Sequence, residues 1–340
     1  MYDIDKILVS FAEQVPSWLL FIVIVLCLAV LSKSADKMID GTVALARRTS
    51  LPKIVIGATI ISLGTTVPEM VVSVLAAWKG HAGLSLGNGV GSIICDTALI
   101  FGLLCVLAKI PVRKFILNRT GWAQVGTATL LVVVSLIALW VSPANPVLGR
   151  GVGGLFVGLL FVYLYLSYRW ARQGGQRDYG LEDEKHWGIG KTLALIAAGL
   201  AGVIIASRVL IPCVVVGACR MGVPQDVIAA TLVAFGTSVP ELMTGISSVK
   251  KGHPQIMVGN VVGADVLNCL FVIGASLLTQ PLTVPRNFYY LHFPTMLLIL
   301  YSFRLFIFIN KDGWFKRWQG LWLLGLYLAY LGLQYGLNLG

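Results

Sequence analysis

Two related hexapeptides stand out for the chemistry they could perform. Gly64-Thr65-Thr66-Val67-Pro68-Glu69 returns 172 residues later as Gly236-Thr237-Ser238-Val239-Pro240-Glu241. Each copy sets a carboxylate one helical turn beyond a threonine, on the same helix face. The proline before each carboxylate lacks an amide hydrogen and clashes with the carbonyl four residues earlier. Carbonyl oxygens around Ser62 to Thr65 and Ala234 to Thr237 are thereby freed. A second polar line follows, with Asn88, Ser92 and Asp96 recurring every fourth residue; its counterpart is Asn260, Ala264 and Asn268. The second copy also gains Asp265 where the first has Ile93. Every candidate ligand in this set is an oxygen, which disfavours Zn, Cu and Fe and favours hard cations such as Ca²⁺, Mg²⁺ or Na⁺. Three carboxylates brought together cannot all stay ionised without added positive charge. A divalent ion, several Na⁺ ions or a captured proton would each supply it, so exchange between these cations is the chemistry the residues suggest.

The elements that must hold these groups are membrane helices. Of 340 residues, 57% are apolar and 12% charged, and the mean hydropathy is +0.84. A soluble chain carries about a quarter charged residues, so a secreted globular enzyme, a nucleic-acid-binding domain and a disordered regulator are all excluded. Ten runs are long enough to cross a bilayer at about 20 residues each: 17 to 34, 52 to 78, 84 to 109, 121 to 142, 146 to 169, 189 to 211, 224 to 249, 254 to 280, 288 to 309 and 317 to 338. The first helix has the composition to continue to Arg48. When the connecting segments are assigned to alternate sides, 20 of the 26 Lys and Arg residues fall on one side. By the positive-inside rule that side is cytoplasmic, so both termini are expected on the non-cytoplasmic side of the plasma (inner) membrane. The net charge of +11 then sets topology and does not signal nucleic acid. The acidic segment before the first run lacks the features of a cleaved signal peptide. The six cysteines show no paired spacing, and neither a disulfide nor a metal role is expected of them.

Sliding the chain along itself by 172 residues aligns 43 to 108 with 215 to 280 without a gap, and 21 of 66 positions are identical. The expected organisation is an N-terminal half (1 to 171), a short cytoplasmic linker (172 to 188) and a C-terminal half (189 to 340). Five spans per half is an odd number, so the second half enters the membrane inverted. The fold class expected is an all-α integral membrane protein, with ten transmembrane helices as two inverted five-helix repeats. Secondary transporters with this architecture bind their cargo near the bilayer midplane, at matching interrupted helices of the two halves. No Ser-His, Cys-His or HExxH constellation falls in the spans, so an enzyme is not expected.

The paired Gly-Thr-(Thr/Ser)-Val-Pro-Glu and Gly-Asn-x-Val-Gly motifs resemble the α-repeats of the sodium/calcium exchanger family, within the cation/calcium antiporter superfamily. Ser34-Ala35-Asp36-Lys37-Met38 to Ala46-Arg47-Arg48 also resembles the lead-in to the first α-repeat, and the whole chain is covered in the manner of prokaryotic members. The resemblance implies an antiporter carrying Ca²⁺ and Na⁺, without a cofactor, working in the lipid bilayer as a monomer. It implies Glu69 and Glu241 as central Ca²⁺ ligands and Asp96 and Asn268 as the other two corners. Thr65, Thr66, Ser92, Thr237 and Ser238 would supply further oxygens, and the carbonyls of Ser62 and Ala234 would serve outer Na⁺ sites. Asp265, Asn88 and Asn260 are additional candidates; the two asparagines can equally brace helices. Two departures stand out. The acid and amide corners are exchanged between the repeats relative to archaeal exchangers, and Gly-Ala-Asp replaces the usual Gly-Ser-Asn at 263 to 265. The second leaves H⁺ and K⁺ open as coupling ions beside Na⁺. Against H⁺, calcium/proton relatives carry Gly-Asn-x-x-Glu, where this chain has Gly91 in place of the acid. Gly57, Gly87, Gly91, Gly259 and Gly263 are expected to permit close helix packing, and His81 and His253 to lie at the interface.

Overall fold

A computed structural model describes residues 2–49, 51–173, 187–221 and 234–336, and is helical almost throughout. In chain order the helices are α1 (Tyr2–Gln14), α2 (Ser17–Thr49), α3 (Lys53–Trp78), α4 (Ala82–Leu107), α5 (Lys114–Val141), α6 (Arg150–Gln173) and α7 (Ile189–Arg220). After a single helical turn at Ala234–Thr237 come α8 (Val239–Lys250), α9 (Pro254–Thr279), α10 (Phe288–Ile309) and α11 (Arg317–Gly336). Among the described residues, eight helices are long and apolar enough to cross a membrane: α2 to α7, α9 and α10. The expected run at 317 to 338 is helical as α11, but its Trp, Tyr, Gly and Gln residues hold its hydropathy below that of the other spans. The expected run at 224 to 249 is described only from Ala234 onward. Most of the expected linker also lies outside the described residues.

One element adds to the sequence expectation. The acidic N-terminal segment forms α1, whose Ile4, Leu8 and Phe11 share a helical spacing. Arg220 of α7 donates to the α1 carbonyls of Ala12 and Glu13. As its composition allows, the apolar run of α2 continues as helix through Lys33 to Asp40 to Thr49, and its acids find partners on α8 and at its end. Ser247 Oγ donates to Asp36 and the Lys251 ammonium pairs with Asp40.

The inversion of the halves is visible where α2 meets its repeat mate α7. A Cβ added to Gly202 would strike Ser34, one at Gly199 would strike Met38 and Ser34, and one at Gly41 would strike Ile196 and Thr192. Positions rise on one helix as they fall on the other, so these repeat-related helices run antiparallel. Matched details follow the same symmetry. Gly80 and Gly252 adopt φ of +80° and +75°. Each ends its helix with an amide bond from the following histidine to a carbonyl five residues back, His81 to Ala76 and His253 to Ser248. The imidazole of His253 also meets the buried Lys53 ammonium at 3.0 Å, so it is tied to α3. Gly57, Gly259 and Gly263 sit in close crossings, as expected. Gly87 and Gly91 do not: a Cβ at Gly87 would meet only Phe288 at 3.9 Å and one at Gly91 nothing among the described residues.

The two halves are clasped crosswise. The extended segment after the first α-repeat pairs with the chain leading into α11, with Val112 donating to Gly313 and Phe315 to Ile110. The segment after the second α-repeat pairs with the chain leading into α6, through β1 (Val147–Leu148) and β2 (Leu282–Thr283). Beside the first clasp, the buried amides of Asn310 and Gln319 exchange hydrogen bonds of 2.8 and 3.0 Å, and Lys316 N–H donates to Gln319 Oε1. Gln319→Leu strands the Asn310 amide and is expected to destabilise the protein by about 1–3 kcal/mol, read as a lowered Tm in detergent. An unchanged Tm would show that the pair adds nothing.

Candidate cation-binding site

The expected ligands come from four helices, and all but a few are buried. Thr65, Thr66 and Glu69 lie on α3, Ser92 and Asp96 on α4, Ser238 and Glu241 at the start of α8, and Asp265 and Asn268 on α9; each is at most 1% exposed. Thr237 is half-buried on the turn before α8. Pro68 lies inside a continuous α3, whereas in the second repeat the helix breaks at Ser238 (φ −91°, ψ 7°) and Pro240 occupies the first turn of α8. The same motif therefore lies inside a continuous helix in one half and at a helix start in the other. Proline fits the first turn, because an amide hydrogen there has no intrahelical partner.

α4 and α9 pass into π-helix at matching places, Cys95–Phe101 and Asn268–Ile273. A π-turn inserts one residue into the helical register, and both corner residues, Asp96 and Asn268, stand at these transitions. A further π-stretch, Gly57–Ile61, precedes the α3 motif. The even spacing of Asn88, Ser92 and Asp96 does not foretell this, since what holds a π-turn is packing against neighbouring helices.

The arrangement is a set of buried oxygens that lack hydrogen-bond partners among the described residues. These are Thr66 Oγ1, Glu69 Oε2, Ser92 Oγ, both Asp96 carboxylate oxygens, Thr237 Oγ1, Ser238 Oγ, Glu241 Oε2, Asp265 Oδ1 and Asn268 Oδ1. Asn260 Oδ1 is an eleventh among the residues already singled out; buried polar atoms are ordinarily paired, so the set points to a cation as its partner. The acids form one electrostatic group: Glu69 interacts with Glu241 and Asp96, and Asp96 with Glu241 and Asp265. Thr65 faces Glu241, and Ser238 lies beside Asp96. Among the described residues, no three acidic, His or Cys side chains close into a metal cage. A cation here would therefore be shared between carboxylates, hydroxyls and amide oxygens.

Other candidates take supporting places. Asn88 Nδ2 donates to the Glu69 carbonyl (3.2 Å) and to Ser73 Oγ (2.9 Å), and Asn260 Nδ2 donates to Thr244 Oγ1 (3.1 Å), whose own hydroxyl donates to the Glu241 carbonyl. Both asparagines thus brace the carboxylate helices. Thr65 Oγ1 donates to the Ser62 carbonyl at 3.3 Å, so that carbonyl already accepts one bond. Ala234 opens the helical turn before Ser238.

Three residues escape the motif reading. Thr97 and Gln124 both donate to Asp265 Oδ2. Gln124 is legible in hindsight as a lone amide in the apolar run of α5. Arg208, counted from sequence as a charge at a span end, lies within the long α7 and interacts electrostatically with Glu69; α7 continues to Arg220, which brings it to the depth of α3.

Comparisons with known proteins match nearly the whole chain to sodium/calcium exchangers. The model of the family described as sodium/calcium exchanger protein matches residues 19–169 and 191–336. The sodium/calcium exchanger MaX1 of Methanosarcina acetivorans is 27% identical over 341 residues, covering 92% of this chain and 97% of that one. The inner membrane protein YrbG of Escherichia coli is 29% identical over 314 residues, covering 90% and 93%. Among solved structures, the sodium-calcium exchanger NCX_Mj soaked with Na⁺ and Sr²⁺ superposes with a TM-score of 0.76 at 26% identity, covering 93% of this chain and 99% of that one.

Proposed function

The chain belongs to the sodium/calcium exchanger family, and from that premise we propose that it is a secondary active antiporter exchanging Ca²⁺ for Na⁺ by alternating access at one midplane site. The observation that carries this reading is the group of unpartnered oxygens around Glu69, Glu241 and Asp96. Charge at such depth costs several kcal/mol unless balanced. One Ca²⁺ or several Na⁺ balance it equally, which makes their binding mutually exclusive and their fluxes coupled.

In this reading Glu69 and Glu241 bind Ca²⁺ from opposite sides, and Asp96 and Asn268 close the remaining corners. Thr65, Thr66, Ser92, Thr237 and Ser238, with the carbonyls of Ser62 and Ala234, complete the Na⁺ positions. Helices α2 and α7, packed against each other more closely than against the carboxylate helices, slide as a pair to expose the site to one side or the other. Their glycine contacts support a rigid pair, and the Asp36–Ser247 and Asp40–Lys251 contacts would hold the present position. The protein works as a monomer in the plasma membrane, with both termini outside the cytoplasm and its halves divided at the 172 to 188 linker.

The test is ⁴⁵Ca²⁺ uptake into proteoliposomes with Na⁺, K⁺ or pH gradients imposed one at a time. Uptake that follows the outward Na⁺ gradient alone is the expected result. Uptake driven by a pH gradient with Na⁺ equal on both sides would overturn Na⁺ coupling, and uptake that also requires K⁺ would add it as a co-substrate.

A further inference from the structure

Beside the central oxygens lies a second polar cluster that the repeat symmetry does not generate. Asp265 of α9 is 1% exposed, and its Oδ2 accepts from Thr97 Oγ1, in the π-stretch of α4, and from Gln124 Nε2 of α5. Gln124 Nε2 also reaches Thr97 Oγ1 at 3.3 Å. Three helices thus converge on one carboxylate oxygen, and α5 lies outside both α-repeats. Asp265 Oδ1, Gln124 Oε1 and both oxygens of Asp96 are left buried and without hydrogen-bond partners, and Asp96 is in electrostatic contact with Asp265. Gln124 is itself 1% exposed. The Gln124 amide is anchored by its N–H group, and its buried oxygen, with no partner among the described residues, is left open to a cation beside Asp265 and Asp96.

We propose that Asp265, Gln124 and Asp96, braced by Thr97, form a second cation subsite that takes a monovalent metal ion beside the central site. The inference rests on the exchanger reading and deepens it. The donors are all hard oxygens, suited to an alkali cation. Monovalent charge follows from the neighbour: a second divalent ion would be repelled by the central Ca²⁺ twice as strongly as a monovalent one at the same distance. Asp265 adds a fourth carboxylate to Glu69, Glu241 and Asp96, and one further positive charge balances it. The repeat mate of Asp265 is Ile93, fully buried in the apolar core, so the subsite occurs once per chain. The expected consequence is one more Na⁺ per transport cycle than the central site alone would carry.

The test is equilibrium binding of ²²Na⁺ to the purified full chain in detergent, paired with the Na⁺ dependence of ⁴⁵Ca²⁺ uptake. Asp265→Asn keeps the shape and an acceptor for Thr97 and Gln124 but removes the charge. It is expected to lower bound ²²Na⁺ by one per chain and the Hill coefficient for Na⁺ by about one, taking one site from the coupled set. Gln124→Met, similar in volume and without the amide oxygen, should show the same loss of one ion and serves if Asp265→Asn fails to fold. An undiminished ²²Na⁺ count in a folded variant overturns the subsite and leaves Asp265 a structural acceptor. A wild-type protein that binds no ²²Na⁺ overturns the Na⁺-coupled reading itself, so the two failures are distinguishable.

Discussion

Glu69→Gln and Glu241→Gln are each expected to abolish Na⁺-gradient-driven ⁴⁵Ca²⁺ uptake, with a loss of at least about 100-fold, beyond the 10–100-fold typical of groups that only support a metal ligand. Gln preserves the volume and one acceptor oxygen of each side chain, so packing around α3 and α8 is retained and the charge alone is lost. Each glutamate also has one oxygen with no hydrogen-bond partner among the described residues, which leaves that oxygen available to a cation. Asn88 and Asn260 brace the backbone of these helices and not the carboxylates, so the variants should fold and purify as wild type. Normal uptake by both variants would sink the proposed site. Loss in one variant only would show that the two halves contribute unequally, as their different helix geometries at Pro68 and Pro240 allow.

The second large effect concerns stability. A Cβ at Gly259 would sit 2.0 Å from the Ile54 carbonyl oxygen, and one at Gly263 would sit 2.4 Å from that of Ala58. From the other side, a Cβ at Gly57 would meet the Ile256 carbonyl oxygen at 2.4 Å. The obstacles are backbone atoms, so no side chain can rotate away, and α3 and α9 must separate. Gly259→Ala should therefore destabilise the fold by about 3 kcal/mol or more, at or above the upper end of ordinary overpacking, seen as a fall of several degrees in Tm. Its repeat mate provides the contrast: at Gly87 the nearest atom is 3.9 Å away, and Gly87→Ala should melt close to wild type. Equal melting of the two variants would refute the close crossing. Because α3 carries Glu69 and α9 carries Asn268, a widened crossing would also weaken ion binding.

The glycine pairs show how far the sequence could be read. Gly87 and Gly91 look like their mates Gly259 and Gly263 in an alignment of the repeats, yet only the contacts of α3 with α9 separate those that seat a neighbouring backbone from those that do not. The inverted duplication was legible because the two copies align without a gap at an offset of 172 residues, and an odd number of spans between matching positions inverts the second copy. The burial of the carboxylates was legible too, since an acid amid 20 apolar residues has few places to go. Asp96 and Asn268 were found by their four-residue spacing, although the π-turns that begin around them were not. Gln124 was missed because it lies outside the repeat, where no internal copy marks it. Arg208 was misjudged because its helix runs 32 residues, past the point where a minimal span would end.

By itself the sequence determined the membrane-spanning helical class, the duplication, its inversion and the oxygen chemistry of the candidate ligands. These depend on composition, periodicity and parity, which are properties of a chain read along its length. Tertiary structure decided which of those oxygens remain without partners, which asparagines brace and which face the site, and that Asp265 is held by residues from α4 and α5. It also decided that one proline motif sits inside a continuous helix while its copy starts a new one. Those outcomes depend on which groups meet across helices, and the energy of a buried polar atom is set by its neighbours in space. Identical motifs in the two repeats therefore acquire different roles once each is packed against a different part of the same chain.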